Sequence, residues 1–109
     1  MEFIETTTFT RLISDLVGDD EYAKFQKELS DDPEKGDVMP KCGGVRKVRI
    51  ATEGRGKSGG ARVIYYYLRN HSTIYLLYVF TKGDADNLSS EGKKRMREYT
   101  RAIKAEYHE

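Results

Sequence analysis

The chain has few groups that could staple or anchor it covalently. It has a single cysteine, Cys42, two prolines and two histidines in 109 residues. One cysteine excludes an intramolecular disulfide and any zinc site built on cysteines. Cys42 is then an ordinary thiol in a turn. No apolar run approaches the roughly 20 residues of a membrane-spanning helix. The N-terminus lacks the charged-then-apolar order of a secretory signal. These absences give the expectation of a soluble, cytoplasmic protein with no membrane contact. There are no repeats, no low-complexity segments and no internal boundary. The chain is too short for a parallel nucleotide-binding sheet and a second domain, so one domain spanning residues 1–109 is expected.

What is present includes ATEGRGKS, Ala51 to Ser58, which fits the loose form of a phosphate-binding P-loop. A P-loop needs a helix to open directly after it, because the N–H groups at that helix start cradle the phosphates. Here Gly59 and Gly60 follow, then Val63, Ile64, Tyr65, Tyr66 and Tyr67, a β-branched and aromatic run. The order is strand, glycine-rich loop, strand. That is a hairpin, and no nucleotide cofactor is expected.

Net charge is +1, but it is unevenly distributed. Residues 1–40 sum to −7, and residues 41–69 sum to +7. A basic block confined to one hairpin fits a polyanion-facing surface, and an acidic first third does not.

The pattern predicts a short strand in residues 2–8. Thr8 then caps a helix whose Phe9, Leu12, Ile13, Leu16 and Val17 form one stripe, ended by Gly18. Asp19 caps a second helix carrying Tyr22, Phe25 and Leu29, closed before Pro33. The two helices read as a hairpin packed on one face of a sheet. Residues 34–44 are a connector. In VRKVRIA, Arg46, Val48 and Ile50 share one face, and Lys47 and Arg49 share the other. The strand 61–69 follows the loop. Residues 73–81, TIYLLYVFT, are apolar on both faces, as in a central strand. Ser89 or Ser90 caps a last helix with Met96, Tyr99, Ile103 and Tyr107 on one stripe. The expected fold is α+β, an antiparallel sheet with two N-terminal helices and a C-terminal helix, in the order β-α-α-β-β-β-α.

Lys47 and Arg49 protrude together from one strand face. Arg62 opens the strand across the loop and joins them if it shares that face. Arg55 and Lys57 lie at the loop tip, Arg46 beside the pair, and Lys82 at the end of the last strand. Cations converging this way suit successive phosphates of a single strand and the charge that develops if a phosphodiester is cleaved. His71, in a turn, and His108, near the C-terminus, are read as exposed or structural.

KCGGVRKVRIATEGRGKSGGARVIYYYL resembles the RelE-type toxins of bacterial toxin–antitoxin systems, the RelE/ParE superfamily, in particular their HigB-like branch. The matching features are the Gly-Gly before the basic strand, Lys47-Val48-Arg49, the Lys- and Gly-rich loop, Arg62, and the aromatic strand. The element order agrees as well. The resemblance implies a RelE-like sheet and a ribosome-dependent endoribonuclease that cuts translated messenger RNA without a metal. In this chemistry the ribose 2′-OH attacks the neighbouring phosphate. Carried over by position, Lys47, Arg49, Arg62 and Lys82 are the catalytic candidates. Arg46, Arg55 and Lys57 are the RNA-binding ones. The resemblance implies no cofactor. It implies as partners the ribosome, the message and a cognate antitoxin of helix-turn-helix type.

The chain departs from the pattern after the last strand. Residues 83–88, GDADNL, hold neither the arginine nor the tyrosine that some members place there. The alternative is a relative of the same fold that binds without cleaving, such as a ParE-like gyrase poison or an RNA-binding regulatory module, since one fold hosts several functions.

Overall fold

The computed structural model describes residues 1–52, 60–81 and 88–109. Strand β1 (Glu2–Glu5) leads into helices α1 (Thr7–Leu16) and α2 (Asp19–Asp31). Then come β2 (Asp37–Val38), β3 (Arg46–Ile50) and β4 (Ala61–Leu68). A 3₁₀ turn (Arg69–His71) joins β4 to β5 (Thr73–Thr81), and α3 (Ser90–Glu106) closes the chain. The five strands form one sheet in the order β1-β5-β4-β3-β2. All neighbours are antiparallel except β1, which pairs in parallel with the first half of β5.

This is the expected α+β architecture, with one strand more than the sequence pattern shows. β2 lies in the segment expected to be a plain connector. Its two residues pair Asp37 with Lys47 and Val38 with Arg46. A two-residue strand has no room for the alternation that would announce it. The helix caps also shift. Thr6, not Thr8, caps α1, its side chain accepting from the Phe9 N–H at 3.0 Å. Gly18, not Asp19, is the N-cap of α2, and Val17, not Gly18, caps the end of α1. Threonine-rich EFIETTT offers several hydroxyls of equal capping strength, so the pattern alone selects none of them.

Two apolar layers cover the sheet. On one face, Phe9, Ile13, Val17, Phe25 and Leu29 of the helical pair pack on Val48, Ile50, Val63, Tyr65, Ile74 and Leu76. On the other, Met96 and Ile103 of α3 pack on Val45, Ile64, Leu68, Leu77 and Phe80, together with Met39 and Cys42. The alternation along β4 divides its residues between these layers. The register with β5 shifts between Ile64 and Tyr65, where a bulge lets β5 carry the extra residue, Leu77, so that Leu77 and Tyr78 both fall on the α3 side.

Tyr65 and Arg97 both anchor the connector between α2 and β3. Tyr65, fully buried, donates its hydroxyl to the Pro33 carbonyl at 2.8 Å and accepts from the Gly36 N–H at 2.9 Å. Farther on, Arg97 of α3 donates to the Lys41 carbonyl at 2.6 Å. Gly43 takes a φ of 77°, and a Cβ there would collide with the Thr100 hydroxyl. Glycine is therefore required where the connector passes under α3.

Candidate functional site

The hairpin of β3 and β4 sets the geometry of the basic residues. In its register Arg49 lies directly opposite Arg62, and Lys47 lies opposite Ile64. Directly opposed residues hold their Cβ atoms about 5 Å apart on one face. Ile64 belongs to the layer under α3. Lys47, Arg49 and Arg62 therefore all project from the α3 side of the sheet, towards the end of the hairpin that carries the loop. The condition that Arg62 share the face of the basic pair is met.

The same register continues into β5, where Arg62 opposes Phe80 and Ile64 opposes Tyr78. Two rows thus cross three strands on one face. One runs Arg49, Arg62, Phe80, and the other runs Lys47, Ile64, Tyr78. Each passes from cations at β3 to an aromatic ring on β5. Tyr78 and Phe80 stack with ring centroids 6.2 Å apart and planes 28° from parallel. Arg49 is exposed, and Lys47 and Arg62 are half-buried. An Arg62 Nη1–H reaches back to the Ala61 carbonyl at 3.4 Å.

Arg46 does not join this group. It shares a face with Val48 and Ile50. Its Nη1 donates to the Gly36 carbonyl at 2.7 Å and to the Glu34 carbonyl at 3.1 Å. Its Nη2 lies 3.7 Å from the Glu34 carboxylate. It holds the connector, as Tyr65 does, and Tyr65 is its cross-strand partner. Arg55, Lys57 and Lys82 lie outside the described residues. The segment that follows the loop enters β4 and not a helix, so the P-loop spelling of residues 51–58 lacks its structural frame.

Acidic groups flank the cations on the other side. A groove of about 560 Å³ beside β3 is lined by Lys47 and Arg49 together with Glu21 and Glu28 of α2 and Asp37 of β2. Carboxylates on the α2 side repel a polyanion there.

The histidines are remote. His71 lies at the opposite end of β4, with its Nε2 3.4 Å from the Glu109 carboxylate and its ring 4.4 Å from that of Tyr107. His108 is exposed near the C-terminus. Of the three successive tyrosines, Tyr65 is fully buried, while Tyr66 and Tyr67 are half-buried on opposite faces. Burial raises the Tyr65 and Tyr66 phenols above their usual range. Among the described residues no three His, Cys, Asp or Glu side chains gather as metal ligands, and no helix is long and apolar enough to cross a membrane.

A family profile described as "RelE toxin of RelE / RelB toxin-antitoxin system" matches residues 3–109. The chain belongs to the RelE toxin family. A solved structure with the same fold is a chain of the intact E. coli RelBE toxin–antitoxin complex. It is 16% identical, with a TM-score of 0.54 over 79% of this chain and 98% of that one. In this RelE-family chain, the two rows place Lys47, Arg49 and Arg62 on one face of the sheet. The pattern of TIYLLYVFT gives no sign that Tyr78 and Phe80 stand in register with the cations. The Leu77 bulge changes the alternation inside β5, and a bulge leaves no mark in hydrophobicity alone.

Proposed function

We propose that this protein is the toxin of a toxin–antitoxin pair and a ribosome-dependent endoribonuclease that cuts translated messenger RNA, acting as one toxin domain over residues 1–109. The observation that carries the reading is the direct opposition of Arg49 and Arg62, with Lys47 beside them on the same face. Cations held on paired strands are preorganised for a phosphate whose charge grows during cleavage. The family membership supports the same reading.

In the proposed reaction the 2′-oxygen attacks the adjacent phosphorus, and the bond from phosphorus to the 5′-oxygen breaks. The products are a 2′,3′-cyclic phosphate and a free 5′-hydroxyl. Arg62 holds the non-bridging oxygens, and Lys47 or Arg49 assists departure of the 2′ proton. Lys82 or water returns a proton to the 5′-oxygen. The scheme needs no metal. Its neutralising partner is a cognate antitoxin of helix-turn-helix type with an acidic contact surface, because the +7 block of residues 41–69 favours encounter with negative charge. The site of action is the cytoplasmic ribosome.

The test is cleavage on programmed ribosomes. The chelator is added after assembly, at concentrations that spare the ribosome, and one message carries a 2′-deoxy nucleotide at the cut position. Continued cleavage in chelator, with the deoxy message intact, is the expected pair. Cleavage of the deoxy message would overturn the 2′-OH mechanism. Induction that breaks DNA and leaves messages whole would replace the reading with a gyrase poison.

A further inference from the structure

A second concavity lies at the β5 end of the two rows. It is a groove of about 480 Å³ between β5, the start of α1 and the N-terminal half of α3. Tyr78, Phe80, Met96 and Tyr99 supply its apolar wall, and Thr8 and Arg95 reach its rim. Phe80 and Met96 are buried, Tyr78 and Tyr99 are half-buried, and Arg95 is exposed. Such a wall offers a flat, partly accessible ring backed by a second ring and a well-packed floor.

We infer that this groove takes one base of the single-stranded RNA whose phosphate sits on Lys47, Arg49 and Arg62, with the base stacked on Tyr78 and its edge facing Arg95. The inference rests on the endoribonuclease reading and adds to it a place where the substrate's base is bound.

Three observations converge on it. First, the groove and the cations share a face and a register. Phe80, in its wall, is the direct cross-strand neighbour of Arg62, and Tyr78 stands in the row of Lys47. Arg49 and Phe80 are two strand spacings apart, about 10 Å, which a nucleotide bridges from phosphate to base. Second, the chemistry fits. A base has an aromatic face for Tyr78 and a polar edge, and a guanidinium reads acceptors on that edge, those of guanine best. Third, charge is complementary. The cations meet the backbone at one end, and the apolar wall meets the base at the other. That is the usual division of labour in single-strand binding, where stacking gives a roughly tenfold or greater gain in affinity per base.

The experiment titrates the full chain with short single-stranded RNAs carrying 2-aminopurine, at low salt, following the fluorescence that stacking quenches. Wild type is expected to quench the probe, and Tyr78→Phe to do so nearly as well, because the ring is kept. Tyr78→Leu, shown folded by circular dichroism, is expected to weaken the quenched complex about tenfold. Arg95→Ala replaces an exposed side chain and so tests the groove even if Tyr78→Leu does not fold. It is expected to keep quenching but flatten the preference among bases next to the probe. Three results would each overturn the groove: no quenching by wild type, Tyr78→Leu equal to wild type, or Tyr78→Phe as weak as Tyr78→Leu. A second arm maps cut sites on ribosomes for wild type and Arg95→Ala. If wild type leaves messages whole while Tyr78 still governs quenching, the nuclease reading fails and the base groove stands. If messages are cut with one and the same base preference by both proteins, the nuclease reading stands and the groove does not.

Discussion

Arg49 and Arg62 face each other across neighbouring strands, an arrangement in which two like charges stand close enough to act on one phosphate. The proposed phosphate meets both guanidiniums, so Arg62→Ala is expected to lower cleavage about a hundredfold or more, roughly 3 kcal/mol of transition-state stabilisation, in a protein that still folds. Single-turnover cleavage on ribosomes beside urea denaturation checks both halves. A folded Arg62→Ala with full activity would remove the residue from the site. Arg46 is expected to behave in the opposite way. Its donors close the carbonyls of Glu34 and Gly36, so Arg46→Ala should lose about 1–3 kcal/mol of stability. Its cleavage rate per folded molecule should hold within a few-fold. The sequence already placed Arg46 on the other face from Lys47 and Arg49, because side chains alternate along a strand. It did not reveal the carbonyls that hold it, since they belong to a connector without periodicity.

At the scale of elements, the hairpin of β3 and β4 was legible because VRKVRIA alternates and the glycines of the loop precede a β-branched and aromatic run. Which residues oppose which was not legible. Register depends on the loop and on Gly60, whose φ of 65° places it where a Cβ would strike the Ile50 carbonyl oxygen. The helices were legible from their apolar stripes. β2 was not, because it is held from outside, by pairing with β3 and by the anchoring of residues 33–36 to Tyr65. Tyr65→Phe tests that anchor. The substitution keeps the ring in the core but leaves the Gly36 N–H buried without its acceptor, which costs about 1–3 kcal/mol. Hydrogen exchange should speed up at Gly36 and across β2, with β4 and β5 protected as before. Unchanged exchange at Gly36 would mean that the connector is held by other contacts.

Over the whole molecule, the opposed charges of the first third and the basic hairpin were plain in the sequence, and the fold brings them together along β3, where Arg46 lies 3.7 Å from the Glu34 carboxylate. Glu21 and Glu28 of α2 share a groove with Lys47 and Arg49. Stability at high pH is also a property of the whole chain, because several phenols are drawn out of water. Tyr22 is shifted up, first by burial and then by its bond to Glu5, to which it donates at 2.5 Å. Tyr75 is shifted up by burial and by its contact with the Tyr107 hydroxyl at 3.1 Å. A phenol whose folded pKa lies above its unfolded value of about 10 favours the fold while neutral. That contribution is complete below pH 10 and is lost as pH rises above it, because the unfolded chain ionises first. Urea midpoints are therefore expected to be level up to about pH 9.5 and to fall beyond it, and Tyr22→Phe should make the fall shallower. A Tyr22→Phe protein with the same alkaline slope as wild type would assign the loss to other groups. The parallel pairing of β1 with β5 joins Glu2 to Thr73, and this imposes an order in time. During synthesis the first strand has no neighbour to pair with until β5 is made, and the apolar stripes of α1 and α2 have no complete sheet to cover. The cationic face likewise waits for Arg62. A chain released before β5 is made therefore has no partner for its first strand, and the sheet is complete only once Thr81 has been translated.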